Sequence, residues 1–152
     1  MGWKYKLVPE NEVVECWFEA HHTHMLVFAQ TYATAGIVSV VANASQQVPA
    51  SHRYYVAEML MRMNATLNLG SLELDWNRGQ VMFRCGNVFP LNSAGDAQII
   101  ASLVHNAVGE IDRLTPYLAE LCRVSELELP LYSVTDLIAR EDLLPPVPEP
   151  TP

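Results

Sequence analysis

Between Val13 and Ser45 the chain carries β-branched and aromatic residues on both phases of a two-residue alternation, broken at His21–Thr23 and again at Thr34–Gly36. Three consecutive strands are the natural result, because a pleated strand sends successive side chains to opposite faces, where branched and aromatic groups pack well. Placing Ala20 opposite His24 across a three-residue turn sets Phe18 against Leu26 and Cys16 against Phe28, with Trp17 against Val27 on the other side. The third strand, Gly36–Asn43, adds Val38, Val40 and Ala42 to one side and Ile37 and Val41 to the other. A sheet that is apolar on both sides must be covered on both sides, by its own helices, by a second copy or by a partner.

Pro49 ends that block, and Ser51 is placed to cap a helix whose apolar residues Val56, Met59, Leu60, Met63 and Leu67 fall at helical spacing before Gly70. Leu72–Trp76 and Gln80–Cys85 then alternate around Asn77-Arg78-Gly79, where Gly79 can take the positive φ of a bulged hairpin turn. Glu73 and Asp75 share the polar face of that hairpin, within reach of Arg84 if the register allows. From Asp96 to Arg123 the residues Ile100, Ala107, Leu114 and Leu121 recur every seven positions, offset from Val104, Ile111 and Leu118. This is a long amphipathic helix with a narrow seam. Pro116 either kinks it or starts a second helix capped by Thr115. A short helix near Thr135–Arg140 follows. The 152-residue chain thus reads as a single domain over residues 1–144 with a proline-rich extended tail over 145–152. Its fold class is α+β: an antiparallel sheet of about five strands in β-β-β-α-β-β-α order, with the long helix packed on one face.

The formal charge is −8, so the mean field repels phosphate backbones and anionic headgroups, and nucleic acid and membrane surfaces are not expected partners. No run approaches the roughly 20 apolar residues of a membrane span. Cys16, Cys85 and Cys122 are far apart, show no metal-type spacing and sit in apolar patterns, which fits free thiols in a reducing compartment. The expected location is the cytoplasm.

The densest polar cluster is Glu19-Ala-His-His-Thr-His24, which holds three of the five histidines. In a strand His22 and His24 point the same way, and two imidazoles at that spacing can chelate zinc or nickel. A structural zinc site takes four protein ligands and a catalytic one usually three, with Glu19 the nearest carboxylate, so the His21–His24 region reads first as a polar turn. Nucleophilic catalysis has no Gly-x-Ser-x-Gly elbow to support it, and Gly86 and Gly95 form no phosphate-binding loop. Glu73 and Asp75 alternate with Leu72, Leu74 and Trp76, the pattern of a solvated strand face. No catalytic residue or cofactor is assigned.

Arg62-Met-Asn-Ala-Thr-Leu-Asn-Leu-Gly70 running into Ser71-Leu-Glu-Leu-Asp-Trp-Asn-Arg-Gly-Gln-Val-Met-Phe-Arg84 resembles the YbjN family of bacterial and cyanobacterial proteins. In that family a helix ending in Asn and then Gly leads to a Phe-x-x-Asp strand, a Gly turn and a Val-x-aromatic-Arg strand. Asn64, Gly70, Asp75, Gly79, Val81, Phe83 and Arg84 match this pattern. The resemblance implies a fold like the class I type III secretion chaperones: a helix-flanked antiparallel sheet, often dimeric, that binds polypeptides without catalysis. The family fold opens with a helix, whereas Trp3, Tyr5 and Leu7 alternate here as in a short strand.

The expected function is a non-catalytic protein-interaction or chaperone-like module, regulatory in the manner of the family's sensory label. It is expected to be a homodimer that also meets a protein or peptide partner. Trp17, Val27, Val38, Val40 and Met61 are the expected contact residues, because aliphatic and aromatic side chains supply contact area without chemistry. The alternative is a small metal-binding protein or metal-dependent enzyme built on His22 and His24.

Overall fold

The computed structural model describes residues 3–8, 12–90 and 96–144. The tail expected over 145–152 lies outside these residues. Six strands form one antiparallel sheet: β1 (Tyr5–Val8), β2 (Val13–Glu19), β3 (His24–Tyr32), β4 (Ile37–Gln47), β5 (Ser71–Asp75) and β6 (Gln80–Val88), in the spatial order β1-β2-β3-β4-β6-β5. Among the described residues three α-helices accompany it: α1 (Arg53–Asn64), the 28-residue α2 (Asp96–Arg123) and the short α3 (Val134–Ile138). The α+β class and the long packed helix agree with the sequence pattern. The additional strand is β1, formed by the alternating Tyr5 and Leu7.

The first hairpin turns through four residues, Ala20–Thr23, not three, so Phe18 lies opposite Met25, Trp17 opposite Leu26 and Cys16 opposite Val27. Because side chains alternate, this one-residue slip moves the whole of β3 to the other face relative to β2. Val14, Cys16, Phe18, Met25, Val27 and Ala29 therefore share the core side with Val38, Val40, Ala42 and Ala44 of β4. Val81, Phe83 and Cys85 of β6 and Leu72 of β5 complete it.

The helices pack against this side. Val104, Ala107, Ile111, Leu114, Leu118 and Leu121 of α2 are all at most 5% exposed, and Val56, Met59, Leu60 and Met63 of α1 join the same hydrophobic core. Burying each such side chain contributes about 1.5–3 kcal/mol. From Val104 to Leu121 the heptad-like seam of α2 is thus filled by the chain's own core.

Pro116 sits inside α2, which runs unbroken from Asp96 to Arg123. The proline removes one helical N–H, and the Thr115 hydroxyl, 2.8 Å from the Ile111 carbonyl, donates to the backbone there.

Ser51 does not cap α1. A 3-10 turn over Ala50–His52 leads into the helix, and the Ser51 hydroxyl lies 2.9 Å from Glu126 and 3.0 Å from His52 Nδ1. His52, 4% exposed, ties this entry to the end of α2 through Nε2 and the Val124 carbonyl at 2.8 Å. At the second hairpin Gly79 has φ 69° as expected, and the Asp75 carboxylate accepts from the backbone N–H of Asn77 and Arg78, each at 3.0 Å. Helix α3 is capped by Ser133, whose hydroxyl accepts from the Asp136 N–H at 3.2 Å.

Candidate functional site

The histidine-rich stretch turns the first hairpin. The Ala20 N–H donates to the Thr23 carbonyl at 2.8 Å, and the His22 backbone N–H donates to the Asp112 carboxylate of α2 at 2.6 Å, pinning the turn to the helix. His21 and His22 touch ring edge to ring face with centroids 4.5 Å apart, while His24 opens β3 opposite Glu19. His105 packs against Trp3, with centroids 5.5 Å apart, and His52 is buried beneath α1. Among the described residues no group of three or more His, Cys, Asp or Glu side chains is arranged to hold a metal ion. His22 and His24 therefore have no third ligand there.

The side of the sheet away from the helices carries a second set of apolar residues. Registers place Trp17, Leu26, Asn43 and Met82 in one row across β2, β3, β4 and β6, and Glu15, Phe28, Val41 and Arg84 in the next. Ile37 and Tyr32 lie nearer one end of the same face. Trp17 is 69% exposed, and Leu26, Phe28, Val41 and Met82 are half-buried. None of these residues belongs to or packs against the hydrophobic core. Charges on this face are largely matched locally: Lys6 stands opposite Glu15, and Arg84 Nε lies 3.1 Å from Glu73.

A second apolar surface lies on the helix side, where β1 and β2 extend past α2. Trp3, Tyr5, Cys16, Phe18 and Ile100 line a groove of about 290 Å³, and Leu7, Val14, Ala29 and Ile100 continue it into a neighbouring one of about 370 Å³. Tyr5 and Leu7 are more than half exposed there. Burial pushes the Cys16 thiol above its ordinary range, which disfavours the reactive thiolate. Burial likewise raises Cys122 and lifts Cys85 to about 11.

Of the expected contact residues, Trp17 is on the open face and Met61, 67% exposed, is on the outer side of α1. Val27, Val38 and Val40 are at most 8% exposed on the helix side of the sheet, where Val27 and Val38 help to line the two grooves. For Val27 the hairpin slip is the reason: it puts Trp17 beside Leu26 and Phe28 and sends Val27 inward. Leu26, Phe28 and Met82 are the open-face residues that the sequence reading did not place with Trp17.

Comparison of the chain with protein-family models, with curated proteins and with solved structures finds no match. Among the described residues no helix is long and apolar enough to cross a membrane. Among the described residues, fold and surface together define an antiparallel sheet clad by helices on one side and bare on the other.

Proposed function

We propose that this chain is a non-catalytic protein-interaction module of chaperone-like architecture, akin to the YbjN proteins and working in the cytoplasm, and that it contacts other polypeptide through the bare face of its sheet. The observation that carries this reading is the patch of Trp17, Leu26 and Met82 beside Phe28 and Val41 on a face with no helix over it among the described residues. Contiguous apolar surface of this kind marks contact sites, and large aromatic and sulfur-containing side chains dominate the energy of such contacts. The elevated thiols, the locally paired charges and the hydrogen-bonded histidine turn all fit a role that needs area and not reactivity.

A photo-crosslinking residue in place of Leu26, introduced in the native cell, tests this directly. Covalent polypeptide adducts are expected at Leu26 and not at the distant, solvent-facing Tyr54 of α1. Absence of adducts at Leu26 overturns the reading.

The groove beside α2 favours a second reading, a sensor of small apolar molecules, since its size lies near the low end of ligand pockets and its lining is almost wholly apolar. Native mass spectrometry of protein purified from its own cell checks it: a bound small molecule lost on Cys16→Trp supports the sensor, and bare protein removes it.

A further inference from the structure

The registers allow the bare face to be matched against itself, row by row. Across β2, β3, β4 and β6 run three adjacent rows: Val13–Gln30–Ser39–Gly86, Glu15–Phe28–Val41–Arg84 and Trp17–Leu26–Asn43–Met82. The midline of the six-stranded sheet falls between β3 and β4. A two-fold axis beneath the face, parallel to the strands and along that midline, lays β3 of one copy over β4 of the other and β2 over β6. Each row then meets itself reversed. Glu15 falls over Arg84, Phe28 over Val41, Trp17 over Met82, and Val13 over Gly86. An axis perpendicular to the strands instead stacks each strand on its own copy and, where it crosses the middle row, sets Glu15 against Glu15 and Arg84 against Arg84.

We propose that the occupant of this face is a second copy of the chain, packed sheet to sheet about the two-fold axis parallel to the strands. The proposal rests on the reading of the bare face as a protein-contact surface and names its partner. Three features support a second copy.

The first is charge: opposite signs meet only in this one of the two symmetric stackings, and like charges placed face to face are strongly unfavourable. The second is background repulsion. The whole chain carries −8, yet on this face Lys6 stands opposite Glu15 and Arg84 lies 3.1 Å from Glu73, which offsets part of the repulsion between two copies. The third is area. Six strands about 4.8 Å apart, with inner strands of 7–11 residues rising about 3.3 Å each, make a face of roughly 24 by 30 Å. With its side-chain relief that approaches the ~800 Å² per partner of a standard interface. Sheet twist turns the two strand sets by about 30°, which displaces contacts at the corners and spares those beside the axis, Phe28 over Val41 first.

Charge exchange between two chains is the test, read by light scattering at micromolar concentration. The wild type is expected at twice the 17.0 kDa chain mass. Glu15→Arg and Arg84→Glu each convert two attractive contacts per dimer into repulsive ones, and each is expected to raise the dissociation constant about ten- to a hundredfold. Mixed in equal amounts, the two variants are expected to dimerise with one another, because each new charge then meets its opposite. Should Arg84→Glu fail to fold through loss of its Glu73 contact, Trp17→Lys mixed with Met82→Glu makes the same comparison.

A monomeric wild type, single variants that stay dimeric, or a mixture of folded variants that stays monomeric overturns the proposal. Crosslinks from Leu26 to a different protein, with a monomeric wild type, overturn self-pairing and leave the contact surface standing. No polypeptide adduct together with a monomer removes both.

Discussion

Replacing Asn64 by Ala is expected to destabilise the protein by about 2–3 kcal/mol, and the figure follows from two hydrogen bonds. Asn64 is the last residue of α1, and its side chain does for the edge strand β5 what another strand would do: Nδ2 donates to the Leu72 carbonyl at 3.0 Å, and Oδ1 accepts from the Leu72 N–H at 2.8 Å. Leu72 is 4% exposed, so its backbone groups, once stripped of the amide, reach water poorly. A neutral hydrogen bond contributes about 0.5–1.5 kcal/mol net, and a poorly hydrated orphan group costs about 1–3 kcal/mol. Partial rehydration at the sheet edge sets the total at the lower end of the combined range.

For a chain of this length that corresponds to a drop of roughly 5–10 °C in Tm. Urea unfolding followed by circular dichroism should show the loss at constant slope, with Asn64→Asp intermediate because it keeps the acceptor and loses the donor. The unguarded edge also invites aggregation. A change below about 0.5 kcal/mol for Asn64→Ala would refute the reasoning, since it would mean that the two bonds add nothing to what water supplies.

Gly79→Ala should cost about 1–3 kcal/mol, because φ is 69° and an added methyl meets the Val48 carbonyl, whose residue also donates its N–H to the Gly79 carbonyl at 2.8 Å. Chemical denaturation reads it, and an unchanged midpoint contradicts it. Alkaline pH should weaken the fold through Cys85. Its thiol is raised by burial from 9.0 to about 11 in the folded chain, so the stability it contributes is complete below pH 9 and is lost as pH rises through 11. Tm measured from pH 8 to 11 should fall more steeply for wild type than for Cys85→Ala, and parallel curves would argue against it. His52→Ala removes the 2.8 Å bond to Val124 and opens a cavity beneath α1, a loss of about 2 kcal/mol that a urea titration would detect.

The helices and the second hairpin were legible because their signals are local. The seam of α2, the α1 stripe and the positive φ of Gly79 each depend on residues within a few positions of one another. The register of the first hairpin depends instead on turn length, and a turn of four residues in place of three exchanges the two faces of β3.

The polar phases held the missing information. Glu15 and Glu19 share a phase with Trp17 in β2, and His24 and Gln30 share one with Leu26 and Phe28 in β3. Matching polar phase to polar phase puts Trp17 beside Leu26 and turns Val27 inward, which is the observed register. The groove beside α2 was not legible at all, because it depends on where a helix stops short of a sheet edge. Burial of His52 was equally hidden, since its partner Val124 is 72 positions away in the chain.

The central claim, that the bare sheet face is covered by protein in solution, is tested most directly by oxidative footprinting across a dilution series. Trp17 and Met82 lie on that face, while Met61, 67% exposed on α1, reports bulk solvent. The account predicts that Trp17 and Met82 are protected at high concentration and become reactive on dilution, with Met61 oxidised at one rate throughout. If Trp17 reacts as readily as Met61 at every concentration, and Met82 shows no dependence on dilution, the bare face is solvent surface and the account is wrong.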